Sequence, residues 1–93
     1  MTLIYVVEDD KSIQEIETFA LSSSGYRVEG FDNASQFYEA LKRELPTLIL
    51  LDIMLPKING LVVLEEIRKK SDIPVIMLTS INHDAFQRQS FYL

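Results

Sequence analysis

The sequence predicts an α/β fold in which helices cover both faces of a parallel sheet. Short apolar runs, which are typical of strands buried on both faces, occur at Leu3 to Val7, Leu48 to Leu51 and Val75 to Leu78. Stretches whose apolar residues have helical spacing separate these runs. Alternating strands and helices indicate parallel strands joined by right-handed crossovers, in three layers.

The first strand and the helix after it have clear boundaries. Leu3 to Val7 is apolar and β-branched, so it predicts a buried strand. A helix is predicted over Lys11 to Ser24, because Asp10 can cap its start and Gly25 can end it. The apolar residues on one face of this helix, expected to turn inward, are Ile13, Ile16, Phe19 and Ala20.

The next strand, helix and strand follow the same pattern. Tyr26 to Phe31 alternates in polarity and predicts a short strand. Asn33 can cap a helix over Ala34 to Glu44, which must stop before Pro46. Thr47 to Leu51 then predicts the third strand, buried in the centre of the sheet.

The last part of the chain predicts a helix, a strand and a further helix. Gly60 opens a helix with one apolar face, formed by Leu61, Leu64 and Ile67. Val75 to Leu78 predicts the fourth strand, and Ile81 to Leu93 a fourth helix. The predicted order is therefore β-α-β-α-β-α-β-α.

Length and composition exclude several classes of protein. A chain of 93 residues without a linker predicts one domain over residues 1–93. A net charge of −5 makes direct nucleic-acid binding by this domain unexpected. The chain has no cysteine, no secretory signal and no apolar run near the roughly twenty residues of a membrane span. These features predict no membrane partner and a cytoplasmic location.

Functional side chains follow three of the predicted strands. Glu8 and Asp9 follow the first, Asp52 follows the third, and Thr79 follows the fourth. The carboxyl ends of parallel strands meet at one edge, so these groups are expected to converge. Packed carboxylates repel, and Mg²⁺, which prefers oxygen ligands, would relieve that repulsion. A carboxylate beside Mg²⁺ can also act as a nucleophile and form an aspartyl phosphate.

Each of these residues also has a simpler interpretation. Asp52 could be a turn residue after a buried strand, and Glu8 and Asp9 could form a solvated turn before a capped helix. Thr79 could bond its hydroxyl to the nearby backbone. The coincidence of all of them at one predicted edge favours a site.

The sequence resembles the receiver domains of two-component response regulators over roughly residues 2 to 82. Three motifs at suitable spacing carry the resemblance: Val6-Val7-Glu8-Asp9-Asp10, Leu50-Leu51-Asp52-Ile53-Met54-Leu55-Pro56 with Asn59-Gly60, and Ile73-Pro74-Val75-Ile76-Met77-Leu78-Thr79-Ser80. The last two are similar to those of regulators in which a winged-helix DNA-binding domain follows the receiver. The resemblance implies a flavodoxin-like fold with strand order 2-1-3-4.

The resemblance also implies roles for individual residues. Asp52 would accept phosphate from a sensor histidine kinase. Asp9 would bind Mg²⁺ directly, Glu8 would bind it through water, and Met54 would offer its backbone carbonyl. Thr79 would be the switch hydroxyl that approaches the phosphoryl group, and the response would regulate a downstream output such as transcription.

The sequence departs from the family pattern near its end. In the family a fifth strand ending in Lys-Pro and a fifth helix follow, and Leu93 comes before both. The resemblance therefore implies an incomplete receiver domain without that lysine. A sheet ending at Val75 to Leu78 would expose an unpaired edge, so we expect a homodimer or a swapped oligomer formed through it.

Two other functions remain open from the sequence. A degenerate receiver could act as an interaction or dimerisation module without efficient phosphorylation. A Mg²⁺-dependent phosphohydrolase with an aspartyl nucleophile is disfavoured, because such enzymes usually need a second acid two residues later, where this chain has Met54. A regulatory phosphoacceptor, rather than an enzyme, is the preferred prediction.

Overall fold

Strands and helices alternate along most of the chain. The computed structural model describes residues 2–55, 58–79 and 89–92. Its elements are β1 (Leu3–Val7), α1 (Lys11–Ser23), β2 (Arg27–Phe31), α2 (Ala34–Arg43), β3 (Leu48–Asp52), α3 (Gly60–Arg68), β4 (Val75–Thr79) and β5 (Gln89–Tyr92). Within those ranges, no helix has the length and apolar character that a membrane crossing requires.

The five strands form one sheet in the order β2-β1-β3-β4-β5. Strands β1 to β4 are parallel, which confirms the predicted flavodoxin-like order 2-1-3-4. Val7 lies opposite Phe31 on one side and Leu51 on the other. The carboxyl ends of β1, β2 and β3 are therefore level, so the residues that follow them meet at one edge.

Side-chain alternation assigns the helices to opposite faces of the sheet. A Cβ atom added to Gly30 would clash with the side chain of Gln14 in α1. Helix α1 therefore covers the face of the sheet toward which that Cβ would point. Phe31, the next residue, packs edge-on against Tyr5 with 4.9 Å between ring centroids. The ring of Phe37 in α2 lies 6.2 Å from both. Helices α1 and α2 therefore lie on different sides of the sheet.

The main core lies between the sheet and helices α2 and α3. Its buried members, which alternate along β1, β3 and β4 and line the inner faces of both helices, include Leu3, Tyr5, Val7, Phe37, Ala40, Ile49, Leu51, Val63, Ile67, Val75 and Met77. The other face of the sheet is covered less completely. Ile4 and Val6 are buried there, but Leu48, Leu50, Ile76 and Leu78 are half-buried.

The helix boundaries agree with the capping predictions. Asp10 accepts hydrogen bonds from the backbone N–H groups of Ser12 and Ile13 at 2.9 and 3.2 Å. Asn33 caps α2 through the N–H of Gln36. In α3, Ile67 is buried as predicted. Leu61, which was predicted to share its apolar face, is exposed, and Val63 is buried in the core.

The predicted inward face of α1 was wrong. Ile16 is 67% exposed and Phe19 is 74% exposed, whereas Gln14 is buried. Ala20 is also exposed and Ile13 is half-buried. The amide of Gln14 has hydrogen-bond acceptors at the edge of the sheet, and this polar anchor turns the apolar stripe of α1 outward.

The end of the chain also differs from the prediction of a helix over Ile81 to Leu93. Gln89–Tyr92 forms β5, an antiparallel strand beside β4 with Leu78 opposite Ser90. The edge of β4 is thus paired within the chain, because an unpaired row of backbone donors and acceptors favours a partner strand. The expected bare edge, through which a homodimer or swapped oligomer would form, is absent from the described part of the chain.

Candidate functional site

An acidic cluster lies at the carboxyl edge of the sheet. Glu8 and Asp9 directly follow β1, and Asp52 is the last residue of β3. Because Val7 and Leu51 are register partners, the chain delivers Glu8 and Asp52 side by side. Carboxylate oxygens of Glu8, Asp9 and Asp52 lie within 4.8 Å of one another. The structure therefore brings together the three predicted carboxylates.

The two inner carboxylates are buried with few partners. Glu8 and Asp52 are each 2% exposed, whereas Asp9 is exposed. The N–H of Asp10 donates to Glu8 Oε2 at 3.2 Å, and the N–H of Met54 donates to Asp52 Oδ1 at 2.9 Å. Glu8 Oε1 is buried with no hydrogen-bond partner among the described residues. The cluster therefore has more acceptor oxygens than donors.

The electrostatics of the cluster show the same imbalance. Burial, followed by the neighbouring Asp52 carboxylate, raises the pKa of the Glu8 carboxyl from 4.5 to about 8. The ion pairs in the described ranges involve none of the three acids. Three converging carboxylates with one unpartnered buried oxygen fit a hard divalent cation such as Mg²⁺.

The loop after Asp52 is held close to the strand by Gly60. Asn59 caps α3 by accepting from the Leu61 N–H at 2.7 Å, and the Gly60 N–H donates to Ile53 O at 2.9 Å. A Cβ on Gly60 would lie 2.6 Å from both Asp52 O and Ile53 Cα. Only glycine therefore allows α3 to begin this close to Asp52. The sequence marked Gly60 as a helix start, but it did not indicate this contact.

The backbones of Met54 and Thr79, the other two predicted site residues, lie next to the acidic cluster. Met54 follows Asp52 by two residues, and its N–H is the donor to Asp52 Oδ1. Thr79 is the last residue of β4, next to Leu78, which pairs with Asp52 and accepts from the Ile53 N–H at 3.0 Å. The side chain of Thr79 lies outside the described part of the structure, as does Ser80.

Gln14 also borders the site, and the sequence pattern did not predict this. Its Nε2 donates to Glu8 O at 2.8 Å, to Phe31 O at 3.2 Å and to Asp32 Oδ1 at 3.1 Å. Lys11 Nζ pairs with Asp32 Oδ1 at 2.9 Å. The available signal was a polar residue opposite the apolar stripe of α1, but its acceptors are distant in sequence.

One protein-family model covers almost the whole chain. The model of the response regulator receiver domain matches residues 4–92. The chain belongs to the response regulator receiver domain family. This match confirms the resemblance to receiver domains that the sequence motifs indicated.

Curated relatives of this receiver domain are transcriptional regulators by name. The chain is 42% identical over 79 residues to a "Probable transcriptional regulator ycf27" of Porphyridium aerugineum, covering 85% of the chain and 33% of the relative. It is 39% identical over 84 residues to a "Transcriptional regulatory protein CpxR homolog" of Haemophilus influenzae, covering 90% of the chain and 37% of the relative. The chain thus spans about a third of these relatives' length.

Solved structures with the same fold are also receiver domains. The BeF3-activated N-terminal receiver domain of Klebsiella pneumoniae RstA superposes with a TM-score of 0.81 at 31% identity, over 89% of this chain and 71% of that one. The response regulator TrrA of Thermotoga maritima, solved with Mg(2+)-BeF, gives a TM-score of 0.81 at 35% identity, over 91% and 75%.

Proposed function

We propose that this receiver domain is a phosphoacceptor in a two-component system and that Asp52 receives the phosphoryl group from a sensor histidine kinase. The observation that carries the proposal is the burial of Asp52 beside Glu8 and Asp9 at the carboxyl edge of the sheet. A nucleophilic carboxylate needs a fixed position, and the Met54 N–H holds one of its oxygens.

The proposed reaction is a direct phosphoryl transfer. An oxygen of Asp52 attacks phosphorus, and the phosphorus–nitrogen bond of the kinase phosphohistidine breaks. The electron pair of that bond leaves with the imidazole nitrogen, so the product is an acyl phosphate on Asp52. Positioning and charge stabilisation supply most of the catalysis in such transfers.

Mg²⁺ is the proposed cofactor, with Asp9 and Asp52 as its acidic ligands, Glu8 bound to it through water, and the Met54 carbonyl as a further ligand. When bound, it supplies positive charge for the transferred phosphoryl oxygens. The unpartnered Glu8 Oε1 and the high pKa of Glu8 support this assignment, since both indicate missing positive charge. The hydroxyl of Thr79 is the proposed switch group, because its strand ends beside Asp52.

The proposed output is regulation of transcription by a longer protein that contains this receiver domain. Its support is the printed names of the relatives, of which the chain covers about a third. The domain itself is proposed to be a regulatory phosphoacceptor rather than an enzyme acting on a separate substrate. No direct contact with nucleic acid or with a membrane is proposed for it.

Intact-mass spectrometry after incubation with acetyl phosphate and Mg²⁺ tests the acceptor. We expect the parent chain to gain one phosphoryl group and Asp52→Asn to gain none. Asp72→Asn is the matched control. Asp72 is exposed and precedes the amino end of β4, whereas the acidic cluster lies at the carboxyl edge of the sheet. If Asp52→Asn gained as much phosphoryl mass as the parent chain, another residue would be the acceptor.

The same samples distinguish the two alternative functions. A parent chain that binds Mg²⁺ but gains no phosphoryl group would favour an interaction module over a phosphoacceptor. Repeated turnover of a generic phosphate ester would instead favour the phosphohydrolase.

A further inference from the structure

The backbone of Glu8 is held at both of its peptide groups. Its N–H donates to Phe31 O at 3.0 Å, and its carbonyl accepts from Gln14 Nε2 at 2.8 Å. The same amide nitrogen also contacts Phe31 O and Asp32 Oδ1. One side chain of α1 therefore connects the start of the acidic cluster to the end of β2.

The environment of Gln14 makes these contacts strong constraints. The residue is 7% exposed, so solvent cannot replace the bonds without opening the α1–sheet contact. Asp32, one of its acceptors, is also fixed by the ion pair with Lys11 and by the Gln36 side chain, which accepts from the Asp32 N–H. The amide is thus held by partners from two segments.

Gly30 provides the space that the amide occupies. A Cβ at that position would lie 2.5 Å from Gln14 Oε1 and 2.8 Å from its Cδ. Gly30 in β2 is the register partner of Val6 in β1, and Val6 precedes Glu8 by two residues. Any larger residue in this place would push the amide away from the carbonyl of Glu8.

We propose that Gln14, in the space left by Gly30, is a positioning residue that holds Glu8 in the geometry needed for cation binding. Gln14 acts through the backbone of Glu8. This inference rests on the proposed function, because it assumes that the acidic cluster binds Mg²⁺. Groups that orient ligands in this way typically change metal affinity by about 10–100-fold when they are removed.

Isothermal titration with Mg²⁺, paired with urea unfolding of the same samples, tests this role. We expect Gln14→Leu to weaken Mg²⁺ binding by about tenfold, measured at a temperature where each variant is folded. The matched control is Ser23→Leu, which changes an exposed polar residue of the same helix. It should keep the parent affinity for Mg²⁺.

A second pair of variants remains informative if Gln14→Leu does not fold. Gly30→Ala should weaken Mg²⁺ binding in the parent chain, but not further in a Gln14→Ala background, where the space is free. Loss of stability in Gln14→Leu and Gly30→Ala with unchanged Mg²⁺ affinity would overturn the positioning role alone. A parent chain that binds no Mg²⁺ would overturn the proposed function together with it.

Discussion

Glu8 is the residue whose chemistry depends most on its surroundings. Its side chain is buried beside Asp52, and its second oxygen has no partner in the described part of the chain. These conditions favour the protonated carboxyl in the metal-free chain. A cation and a proton therefore compete for the same oxygen atoms.

This competition predicts a pH dependence of stability. The pKa of Glu8 is 4.5 without the fold and about 8 within it, so between these values the folded chain holds a proton that the unfolded chain lacks. Stability that is present at low pH should therefore fall as pH rises toward 8 in the absence of metal. We expect Mg²⁺ to reverse the trend, because it replaces the proton.

Urea unfolding in EDTA and in Mg²⁺, across pH 5 to 8, checks this prediction. Glu8→Gln removes the titrating group, so its metal-free stability should change less with pH than that of the parent. A metal-free parent that becomes more stable than Glu8→Gln as pH rises would contradict the raised pKa.

Among the secondary-structure elements, α1 shows best what the sequence could and could not predict. Its boundaries and its Asp10 cap follow from local signals, and so do the strand ends that collect Glu8, Asp9 and Asp52. The side of α1 that faces the sheet does not follow from local signals. Periodicity identifies an apolar stripe, whereas the acceptors that orient Gln14 belong to distant residues.

The wrong prediction of a helix where β5 forms has the same kind of cause. Gln89–Tyr92 has no alternation strong enough to identify a strand, and its partner β4 is fixed only in the folded sheet. The contact between Gly60 and Asp52 was likewise invisible, because it depends on where the loop returns. Thus local boundaries and convergence at the sheet edge were predictable, whereas contacts between distant segments were not.

The orientation of α1 predicts contrasting costs for two phenylalanines. Phe37→Ala should lower the free energy of unfolding by about 3–5 kcal/mol, because this ring is fully buried in the core. Phe19→Ala should change it by no more than about 0.5 kcal/mol, because this ring is mostly exposed. Urea unfolding of both variants measures the difference. Equal costs would mean that α1 turns its apolar stripe inward, as its periodicity suggested.

At the level of the whole molecule, β5 completes the edge of the sheet. Its antiparallel direction places Leu78 opposite Ser90 and Met77 opposite Phe91. Opposed residues in such a pair have Cα atoms about 4.5–5.5 Å apart, a separation that a disulfide can bridge. The chain has no cysteine, so an introduced pair reports on this pairing without interference.

We therefore predict that the double variant Leu78→Cys with Ser90→Cys forms an intramolecular disulfide under mild oxidation. Mass spectrometry under non-reducing conditions measures the loss of two hydrogens. The matched variant, Leu78→Cys with Phe91→Cys, is shifted by one residue and should stay reduced, because residue 91 is the register partner of Met77 and not of Leu78. Preferential bridging of the shifted pair would mean a different register.

The central place of β1 also has a consequence for how the chain folds. It precedes both of its neighbouring strands in the sequence, and Ile4 pairs with Val28 on one side and with Leu48 on the other. Both partner strands follow β1 in the sequence, so the apolar residues of β1 cannot be buried until those strands have been synthesised. Sheet formation must therefore wait for contacts between distant segments, which makes folding slower than local helix formation. Until β3 has emerged from the ribosome, the apolar β1 is a segment that a chaperone could recognise.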